Sequence, residues 1–125
     1  MKKQANPVGW FEIPVKDMKR AKAFYEHVFA AKLEIEKMGP CRMAFFPMKD
    51  KTYGTAGALV EGEGYKPSAS GTLLYFMAKD IEATLALAEE KGGRTLLPKT
   101  PIGEYGFIGW FRDCEGNRVG LHAMK

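Results

Sequence analysis

Cysteine is scarce, with Cys41 and Cys114 the only two in 125 residues. A small secreted domain commonly carries several bridges, so one widely separated pair reads as two free thiols and excludes a disulfide scaffold. No Cys-x-x-Cys occurs, which removes the usual zinc-ribbon and redox spacings. No apolar run approaches the roughly 20 residues a membrane span needs. Met1-Lys2-Lys3-Gln4-Ala5 passes into Pro7-Val8-Gly9 without the apolar stretch of a signal peptide. The expectation is a cytoplasmic protein with no membrane partner. A dominant charge sign is missing too. Nineteen Lys and Arg stand against 15 Asp and Glu for a net +4. The densest basic cluster, Lys16 to Lys22, is interleaved with apolar residues on an amphipathic stretch, so nucleic-acid binding is not expected.

What the chain does have is an internal repeat. At an offset of 63 residues Lys16 meets Lys79, Asp17 meets Asp80, Ala23 meets Ala86, Glu26 meets Glu89, Leu33 meets Leu96, Asp50 meets Asp113 and Gly57 meets Gly120. Identity alone is weak evidence, but the pattern around it is consistent. Each half opens with a short apolar run, Trp10 to Val15 or Leu73 to Ala78, that predicts a strand and ends in Lys-Asp. The two aspartates are placed to cap helices over Met18 to Phe29 and Ile81 to Lys91. In the first, Ala21, Phe24, Tyr25 and Val28 form a stripe at helical spacing. The second stops at Gly92-Gly93, where glycine takes the left-handed conformation easily.

Three short β-like stretches follow each helix. They are about 32–37, 41–48 and 55–61 in the first half, and about 94–97, 106–112 and 118–123 in the second. The segment Pro98 to Gly106 between the last group's first two strands reads as a long loop. The unit is therefore βαβββ, occurring twice. This predicts an α+β fold in a single domain over residues 1–125, with unit one at about 8–62, a Gly-, Pro- and Ser-rich linker at 62–70 and unit two at about 71–125.

The duplicated unit, with Trp10-Phe11-Glu12-Ile13-Pro14-Val15-Lys16-Asp17, Arg20-Ala21-x-x-Phe24-Tyr25, Thr100-Pro101-Ile102-Gly103-Glu104-x-Gly106-Phe107 and Asp113-x-x-Gly116-Asn117-Arg118-Val119-Gly120-Leu121-His122, resembles the vicinal oxygen chelate superfamily. That superfamily includes glyoxalase I, the bleomycin-resistance proteins and the extradiol dioxygenases, and the match is best to its glyoxalase-related branch. The resemblance implies two βαβββ units forming a curved mixed sheet around a cavity, and a homodimer, often with units exchanged between chains. Metal-dependent members hold one divalent cation with four ligands from the first and last strands of each unit. Those positions fall here on Trp10, Gly57, Leu73 and Gly120, none of which ligates a hard cation through its side chain. No metal and no cofactor are therefore expected.

Residues two apart on a strand share a face. Glu12, Tyr75, His122 and Leu59 thus form the next expected ring of the cavity, flanked by Pro14, Met77, Thr55 and Arg118. A carboxylate and an imidazole converging on one cavity could work as base and acid. Equally, Glu12 could be a buried structural partner of His122, Tyr75 or Arg118. Glu12 and His122 alone are too few to make a displaced metal site. Tyr105, in the long loop, could add aromatic surface, whereas Trp110 is expected in the core and His27 in solvent. The expected ligand-contacting set is Trp10, Glu12, Tyr75, Met77, Tyr105 and His122, with Glu12 and His122 as the catalytic candidates. Three functions remain open: a metal-independent binder of a small apolar or aromatic ligand; a lyase, isomerase or dioxygenase related to glyoxalase I; and an interaction module with an unused cavity.

Overall fold

A computed structural model describes residues 6–125, so the opening Met1–Ala5 lies outside the described residues. Two helices and two four-stranded sheets are formed. The first unit contributes β1 (Phe11–Pro14), α1 (Met18–Phe29), β2 (Glu34–Met38), β3 (Cys41–Phe45) and β4 (Gly57–Glu61). The second contributes β5 (Leu74–Met77), α2 (Ile81–Glu90), β6 (Arg94–Pro101), β7 (Phe107–Arg112) and β8 (Arg118–Ala123), with one 3₁₀ turn at Gly103–Tyr105. Strand orders are β1-β4-β3-β2 and β5-β8-β7-β6, with the parallel pairs β1–β4 and β5–β8 and antiparallel pairs elsewhere. This is the α+β arrangement expected from the repeat.

Both aspartate caps form: Asp17 accepts from the Arg20 amide at 3.1 Å and Asp80 from the Ala83 amide at 3.0 Å. Each satisfies one of the free donors of the first helical turn. The stripe on α1 buries Met18, Ala21, Phe24, Tyr25 and Val28. These side chains meet Ile13 and Leu59 from one sheet and Phe111, Val119 and Leu121 from the other in one shared core. Phe11, Phe29, Phe46 and Phe76 bridge the units, with ring centroids 5.4 Å apart for Phe11–Phe76 and 4.5 Å for Phe29–Phe76. Such pairs prefer the offset and edge-on geometries seen here.

Three expectations change. The segment Pro98 to Pro101 belongs to β6 rather than to a loop. Two prolines are tolerated there because β6 is an edge strand, where a missing N–H need cost no ladder bond, and its register to β7 shifts twice along that stretch. His27 is not simply solvated, since its Nε2 lies 2.9 Å from Glu90 Oε1 and ties α1 to α2. Trp110 points away from the helix-covered core, because its neighbours Gly109 and Phe111 take the core face and alternation puts Trp110 on the other.

The turn between β7 and β8 fastens the two units. Asp113, 2% exposed, accepts from Tyr25 Oη at 2.6 Å and from the Asn117 backbone and side-chain nitrogens at 2.8 and 3.1 Å. Burial and the adjacent carboxylate push the Tyr25 hydroxyl well above its ordinary pKa, so it remains a donor. Asn117 Nδ2 donates to the Pro14 carbonyl at 2.9 Å, and its Oδ1 accepts from the Ser68 amide at 3.0 Å. One asparagine therefore joins β8, β1 and the linker. Beside it, Glu115 accepts from the backbone amides of Lys16 and Asp17 and from the Arg20 guanidinium, sealing the start of α1.

Candidate functional site

The helix-free faces of the two sheets carry the candidate residues. In the second unit Tyr75 pairs with Gly120, which pairs in turn with Trp110, and Met77 pairs with His122, which pairs with Ile108, so these side chains share one face. In the first unit Glu12 pairs with Ala58, which pairs in turn with Phe45, and this puts Glu12 on the corresponding face with Met43 and Val60. Leu59 does not belong to this set. It pairs with Ile13 and is fully buried under the helices.

The cause is a one-residue difference in register. Tyr75, the repeat partner of Glu12, lies opposite Gly120, whereas Glu12 lies opposite Ala58; the last strands therefore correspond at 62 residues rather than 63. A shift of one residue exchanges the two faces of a strand. Gly57 leaves the cavity face with Leu59, and Ala58 becomes the counterpart of Gly120. The corrected positions offer a divalent cation no better seat. Trp10, Ala58, Leu73 and Gly120 offer no ligating side chain, and among the described residues no three His, Cys, Asp or Glu side chains converge. The residues present do not fit the metal of the metal-dependent relatives.

Between the adjacent edges β1 and β5 runs an open cleft. One lobe, about 590 Å³, is lined by Trp10, Glu12, Pro14, Thr72, Tyr75 and Arg118 among others. The other, about 670 Å³, is mainly apolar and includes Phe11, Phe46, Tyr53, Leu74, Phe76 and Met77. The two share Val8, Phe11, Leu74 and Tyr75. Each lobe has the volume of a small-molecule pocket. The cleft thus gathers Trp10, Glu12, Tyr75 and Met77 from the sequence-derived set.

It does not gather Tyr105 and His122. His122 Nε2 lies 2.6 Å from the Tyr105 carbonyl oxygen, so the loop and the last strand are joined to each other, and neither residue lines the cleft. Among the described residues Glu12 and His122 make no hydrogen bond or ion pair with each other. Glu12 is exposed rather than buried, and its Oε1 accepts from Tyr65 Oη at 3.0 Å. That hydrogen bond and the carboxylate charge raise the pKa of the Tyr65 hydroxyl. Tyr65 sits in the linker, which composition marks only as a crossing, and no periodic signal could have assigned it to Glu12. Tyr75, 40% exposed, accepts at its hydroxyl from Trp110 Nε1 at 2.8 Å. The Arg118 guanidinium lies 5.1 Å over the Trp110 ring. Arg118, expected as a flanking residue or a partner of Glu12, instead lies over Trp110, which the β7–β8 pairing brings beside it.

The thiols lie apart from this chemistry. Both cysteines are free. Burial, reinforced by the Asp113 charge, pushes the Cys114 thiol up to about 12, which leaves it protonated at neutral pH.

Comparisons with known proteins agree with this architecture. The chain is 27% identical over 123 residues to a glyoxylase-like domain-containing protein of Didymella fabae, covering 94% of this chain and 91% of that one. TnmS3, an antibiotic binding protein from Streptomyces sp. CB03234, superposes with a TM-score of 0.72 at 24% identity over 98% of each chain. A glyoxalase-related enzyme from Fulvimarina pelagi gives 0.71 at 14% identity, covering 95% of this chain and 88% of that one. Glyoxalase I from Zea mays gives 0.66 at 21% identity, with 94% of this chain matching 46% of that one. At such identities the structural likeness establishes the fold alone. The family profile, however, matches residues 8–121, and on that match the chain belongs to the Glyoxalase/Bleomycin resistance protein/Dioxygenase superfamily.

Proposed function

We propose that this chain is a metal-independent small-molecule-binding member of its superfamily, with the ligand seated in the cleft between β1 and β5. The observation that carries this reading is the cleft itself. Two connected lobes of pocket size, walled by Trp10, Tyr75, Met77, Phe11 and Phe46, lie beside strand positions that offer a cation no side-chain ligand. The antibiotic-binding description of TnmS3, which shares the fold over 98% of its length, supports a binding role. A planar ring suits the cleft, because aromatic walls offer large contact area at fixed geometry.

Glu12 is the polar contact in this reading, presented on β1 with Tyr65 holding one of its oxygens. His122 acts at second hand, by fixing the Tyr105 loop through its carbonyl. A base–acid pair made of Glu12 and His122 is not favoured, because the two residues engage different partners. We also assign the chain a homodimeric state and a cytoplasmic location. Exposed Met77, Tyr75 and Trp10 on the uncovered sheet faces support the first, and two free thiols support the second. Among the described residues no helix is long and apolar enough to cross a membrane.

Titration with N-phenylnaphthylamine, an uncharged planar dye that fluoresces in apolar surroundings, tests the cleft. Saturable emission that falls at least about fivefold in affinity, roughly 1 kcal/mol, in Tyr75→Ala or Met77→Glu is expected. Equal affinity in both variants would place the ligand elsewhere.

A further inference from the structure

Arg94, Arg112 and Arg118 stand opposite one another across β6, β7 and β8 on the helix-free face of the second sheet. Like charges directly opposite in an antiparallel ladder are destabilising. Among the described residues no carboxylate lies within ion-pairing distance of any of the three; the ion pairs formed are those of Arg20, Lys22, His27 and Arg42. Arg118 differs from its two neighbours. It is half-buried, where Arg94 and Arg112 are exposed, and it lines the lobe that holds Trp10, Glu12 and Tyr75.

Its guanidinium is also oriented. Trp110 is fixed by donating to Tyr75 Oη, and the guanidinium lies on the Trp110 ring. The contact with the ring takes up the positive charge without a conventional acceptor, so the N–H donors remain a fork that matches an acid group bidentately. Among the described residues no hydrogen bond from the Arg118 guanidinium occupies that fork. Glu12, on the opposite wall, has a hydrogen-bond partner in Tyr65 and does not reach Arg118.

We propose that the ligand is a planar aromatic anion, with its carboxylate or equivalent acid group held by Arg118 and its ring against the aromatic wall of the cleft. The inference rests on the cleft being the ligand site. Glu12 alone would favour a cation, but its carboxylate is engaged by Tyr65, whereas the Arg118 guanidinium is not engaged by any carboxylate among the described residues. Arg112 and Arg94 extend the positive potential outward from Arg118 and raise the local concentration of the anion. Bound anion would also relieve the repulsion along the arginine row.

Two dyes with the same rings separate the contributions. Anilinonaphthalene sulfonate carries an acid group and N-phenylnaphthylamine does not. The native protein should bind the sulfonate at least about tenfold more tightly, equivalent to about 1.4 kcal/mol. Arg118→Gln should remove that preference and leave the affinity of the neutral dye within about twofold. Because the substitution takes away a charge facing Arg112, the thermal midpoint should not fall. Should Arg118→Gln fail to fold, ionic strength decides on the native protein: high salt should weaken the sulfonate several-fold and leave the neutral dye unchanged. Equal affinities of the two dyes, or a sulfonate preference that survives Arg118→Gln or high salt, would overturn the inference while leaving the cleft intact. Saturable binding of neither dye would overturn both readings.

Discussion

Removing the Asn117 side chain tests how the two units are held together. Asn117 is 6% exposed and uses every polar atom of its amide. It donates to the Pro14 carbonyl and the Asp113 carboxylate and accepts from the Ser68 amide. A neutral hydrogen bond contributes about 0.5–1.5 kcal/mol net, and one to a charged group about 1.5–3. Ser68 is exposed, so water replaces that bond at little cost. The other two bonds are part-buried and buried, so Asn117→Ala should cost about 2–4 kcal/mol. For a domain of this length that lowers the melting temperature by about 8–15 °C. Urea unfolding followed by circular dichroism measures the loss directly. Tyr25→Phe removes a second donor from the same carboxylate, so the two changes should not add. A coupling of at least about 0.5 kcal/mol is expected in the double-mutant cycle. A loss under about 1 kcal/mol in Asn117→Ala, or strict additivity with Tyr25→Phe, would show that the turn does not join β1 to β8.

Four further outcomes follow from particular residues and from the assembly. A Cβ at Gly57 would lie 2.2 Å from the Phe11 carbonyl oxygen, a backbone atom that cannot yield without opening the β1–β4 pair, so Gly57→Ala should destabilise by about 3 kcal/mol or more in the same unfolding assay. At Gly120 the nearest atom is the Tyr75 ring at 2.5 Å, so Gly120→Ala should instead turn Tyr75 aside, break its bond to Trp110 and change tryptophan emission with a smaller stability loss. The Cys114 thiol ionises near 12 when folded against about 9 when unfolded, so the unfolded state loses its proton first; the contribution is full below pH 9 and disappears as pH rises from about 9 to about 12. Cys114→Ala should flatten that alkaline decline in melting temperature, and native Cys114 should resist alkylation at neutral pH. Light scattering at micromolar concentration should give twice the mass of the 13.9 kDa chain, and a monomer would refute the dimer.

Much of the fold was legible because its signals are local. Asp17 and Asp80 precede amphipathic stretches and cap them, Met18 to Phe29 is helical as the stripe of Ala21, Phe24, Tyr25 and Val28 requires, and Arg118 to Ala123 is the last strand. These follow from spacing and short-range hydrogen bonding within the segment. The family followed as well, because the repeated strand-Lys-Asp-helix order and the Asp113 to Asn117 turn are both contiguous in the chain. What tertiary structure decided is which face each strand turns to the cleft and which partner each polar group finds. A repeat read without gaps placed Leu59 and Gly57 beside the cavity, and the actual β1–β4 register sent both to the other face. Glu12 took Tyr65 from the linker, His122 took a backbone carbonyl, and Arg118 settled on Trp110. Those pairings join residues on different strands and connections, and a single residue of strand register suffices to exchange them. Local propensity carries no information about that register; only the simultaneous packing of both sheets against α1 and α2 fixes it.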